Sequence, residues 1–202
     1  MKIVQQKIEP MGIMFLDEKD LLSHIGRIAG ECYNSSMDTD KCIKRALNCV
    51  QRGHHSPWEH YNITLKCLVD RGVSHALVRH RHCAFQQSST IYQKYDDIQI
   101  VDIDGMTEQE REAYWEIEKV YRGALESGKP AGAARDVLPN ALATNLIITT
   151  NIRQWMYMIH RRNGPGDTER MHIWCQQVRN WFEDTYPLTV KAFDDWYESH
   201  PL

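Results

Sequence analysis

The chain has 202 residues, of which 42% are apolar and 25% charged, a composition typical of a soluble protein with enough length for a hydrophobic core. Its formal net charge of -3 argues against a general nucleic-acid binder, which is usually basic overall. No apolar run approaches the ~20 residues that span a bilayer, and residues 1–12 lack the apolar core of a signal peptide. The six cysteines are scattered with no CxxC pair, so we expect reduced thiols and a cytoplasmic protein.

Hydrophobic periodicity and breaker residues predict the elements of the first half of the chain. In chain order they are a strand at 2–8, helices at 18–29 and 39–51, a strand at 61–69 and a short helix at 71–81. Asp17 is the predicted cap of the first helix, and Gly53 is the predicted end of the second.

The second half predicts further strands and helices in alternation. In chain order they are a strand at 98–103, a turn at Asp104-Gly105, a helix at 108–126, a short helix at 131–138, a strand at 142–150, and helices at 151–162, from Asp167 or Thr168 to about 184, and at 188–197. No linker or repeat divides the chain. We therefore predict an α/β (α+β) fold with a mixed or antiparallel sheet packed by several helices, in a single domain over residues 1–202.

One short segment is strongly cationic. Arg79, His80 and Arg81 are consecutive, and arginine offers a planar donor fork suited to phosphate or carboxylate. The following residues, 82–92, contain no acid and no further Lys or Arg. We interpret the cluster as an anion cradle that leads into a polar loop holding a phosphorylated ligand. The alternative is a surface arginine cluster with no specific ligand.

A second polar segment, residues 53–60, carries His54, His55, Glu59 and His60. These side chain types are metal ligands, but the HExxH spacing is absent and no cysteine pair lies nearby. We therefore expect no metal site here.

Four motifs in the same order resemble the flavin-dependent thymidylate synthases. Arg79, His80 and Arg81, followed after seven residues by Ser89, match the R-H-R-x7-S signature of that family, and Tyr92 lies where the family has a Tyr. The other elements are His54, Ser56, Pro57, Glu59 and His60 (H-x-[ST]-P-x-E-H), Ala134 to Pro139 (A-R-x-x-L-P), and Asn151 to Arg153 (N-A-R) with Arg162 eleven residues after Asn151. Together they cover roughly residues 32–162.

The resemblance implies a bound flavin. No G-x-G-x-x-G motif lies at a predicted strand–helix junction, so a Rossmann site does not hold the cofactor. In its place the resemblance implies that FAD is held by His54, Ser56, Glu59, Arg79, His80, Arg81, Gln87, Asn151 and Arg153. It also implies NADPH as reductant, methylenetetrahydrofolate as carbon donor, and a homotetramer with sites built from several subunits.

The resemblance further implies a nucleotide substrate, with conversion of dUMP to dTMP by reductive C5-methylation. Its binding residues are Gln87, Ser88, Ser89, Thr90, Ile91, Arg135 and Arg162. Arg162 would be catalytic, stabilising negative charge that develops on the pyrimidine. Ser89 is interpreted as a binding residue because the sequence shows no base to activate it as a nucleophile. The predicted partners are the nucleotide and the folate, with no nucleic-acid polymer and no membrane.

The departures from the family pattern cluster in the nucleotide-binding elements. Ala76 replaces a Gln, Gln87 replaces a Glu, Ile91 replaces an Arg, and residues 163–173 differ from the family's segment after Arg162. Loss of one charge-assisted hydrogen bond of ~1.5–3 kcal/mol weakens binding by roughly tenfold to a hundredfold.

Three alternatives to dUMP methylation therefore stay open. The protein modifies a different pyrimidine nucleotide, binds flavin and nucleotide without synthase activity, or binds RNA or DNA through Arg79 and Arg81.

Overall fold

A computed structural model describes residues 1–12, 17–35, 37–102 and 105–202. The strands in these ranges are β1 (Lys2–Val4), β2 (Lys7–Met11), β3 (Asn62–Asp70), β4 (Ala84–Gln87), β5 (Gln99–Val101) and β6 (Ala143–Asn151). The α-helices are α1 (Glu18–Gly30), α2 (Thr39–Gln51), α3 (Arg71–Leu77), α4 (Glu108–Glu126), α5 (Ala131–Ala134), α6 (Ile152–Arg161), α7 (Glu169–Thr185) and α8 (Pro187–Ser199). The predicted mixed α/β fold with several helices is confirmed. Ile103 and Asp104, in the predicted strand end and turn, lie outside the described residues.

The strands form a four-stranded sheet of order β2-β3-β6-β4 and a two-stranded parallel sheet of β1 and β5. Strands β3 and β6 are antiparallel. At one end the Ile152 amide donates to the Tyr61 carbonyl at 3.2 Å, and at the other the Arg71 amide donates to the Leu142 carbonyl at 3.1 Å. Residue numbers therefore rise along one strand as they fall along the other, which is the antiparallel register.

The structure corrects three of the predicted elements. The strand predicted at 2–8 is two strands, and Pro10 lies inside β2, where the edge position tolerates its missing N–H. The helix predicted at 71–81 ends at Leu77, after which the His80 amide bonds the Leu77 carbonyl at 3.0 Å. Strand β4 was not predicted, because its sequence AFQQ lacks an apolar alternation.

The described chain separates into two compact units, and the prediction of a single domain over residues 1–202 stays a prediction. Unit 1 comprises Met1–Glu9, Lys66–Arg81 and Phe85–Ile148. Its buried cluster includes Ile98, Ile100, Tyr121, Ala134, Ala141 and Leu142. The helix α4 is rich in charged residues, yet its Glu118 is buried. Its carboxylate accepts from the Ile98 amide at 3.1 Å and pairs with Arg122 at 3.3 Å, so the buried charge is satisfied.

Unit 2 comprises Pro10–Leu65, His82–Ala84 and Thr149–Leu202. Trp155 on α6 is fully buried, packs against Trp174 and Phe182 of α7, and donates its indole N–H to the Ile63 carbonyl at 3.1 Å. Met158 and Ile159 are also buried. These side chains anchor α6 on the end of β3.

Helices α1 and α2 of unit 2 approach each other closely at Gly26. A Cβ at this position would lie 1.9 Å from the backbone oxygen of Cys42, and backbone atoms give way poorly. We expect Gly26→Ala to separate the two helices and to lower the free energy of unfolding by about 1–3 kcal/mol. Urea unfolding measures this change.

Gly123 provides the matched control for this prediction, because a Cβ at this position in α4 meets no described atom within 4 Å. Gly123→Ala is expected to raise the free energy of unfolding by roughly 0.5–1 kcal/mol through helix propensity. Equal effects of the two substitutions would contradict the close approach.

A polar cluster joins α6, α7 and α8. The Asp194 carboxylate lies 3.1 Å from His160 Nε2 and accepts from Arg179 Nη1 at 3.0 Å. Burial acts to raise the pKa of Asp194, but the close contacts with His160 and Arg179 outweigh it and lower the pKa to about 2.

This lowered pKa predicts an acid-dependent stability. A carboxyl group whose pKa is lower in the folded state stabilises the fold above its unfolded pKa of about 4, and that stabilisation disappears as the pH falls through about 2. We expect Asp194→Asn to destabilise the protein at pH 6, with a difference from the wild type that shrinks steadily below pH 4. Urea unfolding of both proteins at several pH values measures this difference in stability. Asp195→Asn, at an exposed neighbour paired with Lys191, is the control, and a pH-independent effect of Asp194→Asn would rule out this account.

Within the described residues the six cysteines form no disulfide, and Cys42, Cys67 and Cys175 are buried. Burial is the main cause that raises the pKa of Cys83, whose Sγ lies 3.5 Å from Met158 Sδ, so this thiol is a packing group. None of the helices in the described ranges combines the length and the apolar composition that a membrane span requires.

Candidate functional site

The segment from Gly53 to His60 begins with a tight turn at the end of α2. Gly53 has a φ of +72°, its amide bonds the Val50 carbonyl at 2.9 Å, and the His54 amide bonds the Cys49 carbonyl at 2.8 Å. Glycine is required here because a Cβ would meet the Trp196 ring at 2.7 Å in addition to the strain of positive φ. The turn therefore ends α2 and sets the direction of the histidine motif.

The residues at the two unspecified positions of the H-x-S-P-x-E-H motif are the ones that anchor it. His55 is 9% exposed and packs between Phe193 and Trp196, with ring-centroid distances of 5.3 and 4.9 Å. Burial is the main cause that lowers the pKa of His55, so its ring is neutral at neutral pH. Trp58 is fully buried and packs edge-on against Phe193.

Burial of these two rings leaves the motif-matching side chains at the surface. The exposed set is His54, Ser56, Glu59 and His60.

A cavity of about 520 Å³ lies beside this segment; we call it the motif cavity. His54, Ser56, His60 and Arg153 line it, together with Tyr33 and residues at the ends of α1 and α2. Three of these, His54, Ser56 and Arg153, are predicted flavin-binding residues, and the fold brings them to one cavity of unit 2.

Glu59 and Arg153 form an ion pair although they are 94 residues apart in the chain. The pair results from the antiparallel register, because the Ile152–Tyr61 hydrogen bond joins the start of α6 to the residue that follows the motif. Asn151 is the last residue of β6 and caps α6 by accepting from the Gln154 amide at 2.9 Å. Asn151 therefore holds the first turn of α6, including Arg153, in place.

Arg162, the predicted catalytic residue, lies at the carboxyl end of α6. Its Nη1 lies 3.2 Å from Asp167 Oδ1, and the two side chains are 18% and 13% exposed. The helix α7 is capped by Thr168, which leaves Asp167 available for the ion pair. From its sequence context Asp167 is only a candidate helix cap, and no local signal distinguishes the two roles. The segment that departs from the family thus places a carboxylate against the predicted catalytic arginine.

The Arg79-His80-Arg81 cluster belongs to unit 1 and occupies the turn between α3 and β4. Arg79 and Arg81 are exposed, whereas His80 is 8% exposed. The turn thus presents two exposed guanidiniums separated by a buried imidazole, and anion binding by this segment stays a prediction.

The polar loop after β4 is organised by hydroxyl and amide contacts within unit 1. Gln87 donates to Ser74 Oγ at 3.0 Å and to Thr144 Oγ1 at 3.3 Å. The Ser88 amide bonds the Asn145 carbonyl at 3.0 Å, which continues the pairing of β4 with β6. The neutral amide of Gln87 is therefore part of a hydrogen-bonded network, and neither Ser74 nor Thr144 was identified from the sequence.

The remaining nucleotide-binding candidates lie together in the same unit. Arg135 Nη1 donates to Thr90 Oγ1 at 3.1 Å, and Thr90 is only 5% exposed. Ser89 Oγ accepts from the Ile91 amide at 3.3 Å, so its hydroxyl stabilises the loop. Ile91 is 48% exposed and Tyr92 86% exposed. The structure thus brings Arg135, from the A-R-x-x-L-P motif, onto the predicted loop.

Across the part of the chain that the structure describes, no three His, Cys, Asp or Glu side chains come together as a metal site. The histidine-rich segment at 54–60 instead has His55 in a hydrogen bond to the Val50 carbonyl at 3.3 Å and Glu59 in the pair with Arg153.

Similarity to known proteins supports the family that the motifs predicted. A sequence profile described as thymidylate synthase complementing protein (Thy1) matches residues 17–188. A flavin-dependent thymidylate synthase from Mycobacterium sp. (strain JLS) is 31% identical over 182 residues, covering 76% of this chain and 69% of the relative. One from Synechocystis sp. is 24% identical over 201 residues, covering 90% and 91%.

A solved structure has the same fold. The UMP/dUMP methylase PolB from Streptomyces cacaoi superposes with a TM-score of 0.75 and covers 96% of this chain and 97% of that one, at 19% sequence identity.

The fold and the sequence matches define a methyltransferase-like enzyme. The chain belongs to the thymidylate synthase complementing protein family, as the four motifs predicted, and the relatives it matches include flavin-dependent thymidylate synthases.

Proposed function

We propose that this enzyme methylates C5 of a uracil nucleotide, with dUMP converted to dTMP, using FAD, NADPH and methylenetetrahydrofolate. The observation that carries the proposal is the motif cavity, where His54, Ser56 and Arg153 meet beside the Glu59–Arg153 pair in a member of this family. A bound flavin supplies the hydride that no side chain delivers.

The residues around the motif cavity fit a flavin. They include hydroxyl, imidazole and guanidinium groups at the surface, which are donors for the polar edge and phosphates of such a cofactor. We assign His54, Ser56, Glu59, Asn151 and Arg153 to flavin binding. Asn151 acts by capping α6, and Glu59 acts by orienting the guanidinium of Arg153.

Unit 1 supplies the other proposed binding groups. Arg79, His80, Arg81 and Gln87 are assigned to the cofactor, and Gln87 with Ser88, Ser89, Thr90, Ile91 and Arg135 to the nucleotide. The Arg135–Thr90 hydrogen bond supports the second assignment, because it orients a guanidinium on the loop that carries the serines. Arg162 would stabilise the negative charge that develops on the pyrimidine ring.

We further propose that the enzyme acts as a homotetramer whose sites combine residues of several subunits. Analytical ultracentrifugation tests this assembly, which predicts one species of four chains.

A second candidate is methylation of another pyrimidine nucleotide, such as UMP. Three departures from the family pattern favour it. Gln87 contributes no charge, Ile91 leaves an exposed apolar side chain where the family has an arginine, and Asp167 pairs with Arg162. The fold neighbour PolB is described as a UMP/dUMP methylase, so UMP belongs in any substrate panel.

The decisive experiment is an absorption spectrum of the purified protein followed by turnover with dUMP, UMP and other pyrimidine nucleotides in the presence of methylenetetrahydrofolate and NADPH. A flavin spectrum with turnover of dUMP supports the first proposal, and preferential turnover of another nucleotide supports the second. A flavoprotein without turnover would leave only a binding function. A colourless protein that rejects added FAD would overturn both proposals and favour the nucleic-acid alternative.

The ion pair at the motif cavity predicts a specific effect on cofactor affinity. Arg153→Ala is expected to weaken FAD binding by about tenfold to a hundredfold, the value of one charge-assisted hydrogen bond. Flavin fluorescence on titration of the apoprotein measures the dissociation constant. Arg161→Ala, at an exposed arginine of the same helix outside the motif cavity, is the control. An unchanged dissociation constant in Arg153→Ala would remove this residue from the site.

A further inference from the structure

A second cavity of about 420 Å³ in unit 2 is lined by four cationic side chains; we call it the cationic cavity. Lys41, Lys44 and Arg45 lie on α2, and Arg52 is the residue that caps its carboxyl end. No Asp or Glu is among its lining residues. Like charges three and four residues apart on a helix repel one another, and a concave cluster of one sign concentrates counter-ions. The cavity therefore favours an anionic ligand.

The four cations divide into one structural group and three available ones. Arg45 is half-buried, and its Nη1 donates to the Gly26 carbonyl at 2.8 Å, which ties α2 to α1. Lys41, Lys44 and Arg52 are exposed. Among the residues that the structure describes, no carboxylate forms an ion pair with these three side chains.

The cationic cavity adjoins the motif cavity. Ala29, Tyr33, Cys49 and His54 line both. A ligand whose ring lies near His54 in the motif cavity can therefore extend an anionic tail along α2 without leaving the protein surface.

The spacing of the cations selects among anionic tails. Lys41 and Arg52 are eleven residues apart, which spans about 16 Å along a helix. A pyrophosphate concentrates its charge at one point, whereas the γ-linked glutamates of a folate place carboxylates at intervals along a chain. A row of separated cations matches separated carboxylates.

We propose that the cationic cavity binds the poly-γ-glutamyl tail of the folate carbon donor. This inference rests on the proposed function, because it takes the folate to bind with its ring next to the flavin, at the His54 side of the motif cavity. It assigns to Lys41, Lys44 and Arg52 a role in selecting the polyglutamylated form of the donor.

The test compares tetrahydrofolate monoglutamate and pentaglutamate, with dissociation constants measured by calorimetry on the flavin-loaded protein. The wild type is expected to bind the pentaglutamate about tenfold or more tightly, since several exposed ion pairs each contribute a little. This advantage should fall in 0.5 M NaCl, as expected for exposed charges.

Lys41→Gln/Lys44→Gln is expected to lose most of the pentaglutamate advantage while its affinity for the monoglutamate stays unchanged. Arg45 is left intact because it supports the helix pair. Lys19→Gln/Lys191→Gln, two exposed lysines of unit 2 that line neither cavity, is the charge-matched control and should keep the advantage. Equal thermal midpoints confirm that all variants are folded.

Two results would overturn this inference and leave the proposed function standing, provided that dUMP turnover with the monoglutamate persists. One is equal affinity of the wild type for both folates. The other is a pentaglutamate advantage that survives in Lys41→Gln/Lys44→Gln, the α2 variant. Loss of flavin from the α2 variant with the pentaglutamate advantage intact also overturns it, since the cavity then serves the phosphates of the cofactor. Failure of the wild type to bind flavin or either folate overturns the proposed function together with it.

Discussion

Arg162→Ala is expected to lower kcat for nucleotide methylation by about a hundredfold to a thousandfold, the effect of removing one group that stabilises charge in the transition state. The flavin content should be unchanged, because Arg162 lies at the carboxyl end of α6 and Arg153 in its first turn. Steady-state kinetics at saturating nucleotide, with the flavin absorbance as a parallel readout, measures both quantities.

The partner of Arg162 supplies the control for this prediction. Asp167 is 13% exposed, so the loss of Arg162 leaves a half-buried carboxylate without this ion pair and lowers stability as well. We expect Arg162→Ala/Asp167→Asn to regain much of the thermal midpoint but none of the activity. Near wild-type kcat in Arg162→Ala, or recovery of activity in the double variant, would show that Arg162 is structural.

Trp58→Ala is expected to have the largest effect on stability, a loss of about 3–5 kcal/mol, because a fully buried indole leaves a cavity that its surroundings refill only partly. The consequence extends to the site, since Trp58 and His55 hold the 54–60 segment against Phe193. We therefore expect a lowered urea midpoint together with weakened FAD binding.

Trp58→Phe is the matched variant. It keeps an aromatic ring against Phe193, and within the described part of the chain the buried indole N–H that it removes has no hydrogen-bond partner. The expected loss is below about 1.5 kcal/mol, with flavin binding retained. Equal losses in Trp58→Ala and Trp58→Phe would contradict a role based on packing.

The local patterns of the chain predicted its helices well and its short strands poorly. Long amphipathic segments such as α4 and α7 have a clear period, and in the structure they begin at the capping residues Thr107 and Thr168. Strand β4 has four residues with no apolar alternation, so its place in the sheet depends on pairing with β6. The early end of the helix before Arg79 was not predicted, because a seven-residue helix carries little periodic signal.

The candidate site was also predicted only in part. The residue types and spacing of the four motifs identified the family, and the family profile that matches residues 17–188 confirms it. The contacts of these residues were not predictable, because each depends on which distant segment packs beside it. Asp167, Ser74 and Thr144 were missed for this reason, and so was the burial of Glu118.

Local motifs were enough to establish the class of this protein, since they specify the chemical groups that a binding site needs wherever the chain places them. The pairing of those groups depends on the folded chain. The β3–β6 register brings Arg153 to Glu59, and the turn after α6 brings Asp167 to Arg162. The physical reason is that a long-range contact depends on the packing of whole elements, to which each local segment contributes only a small part of the free energy.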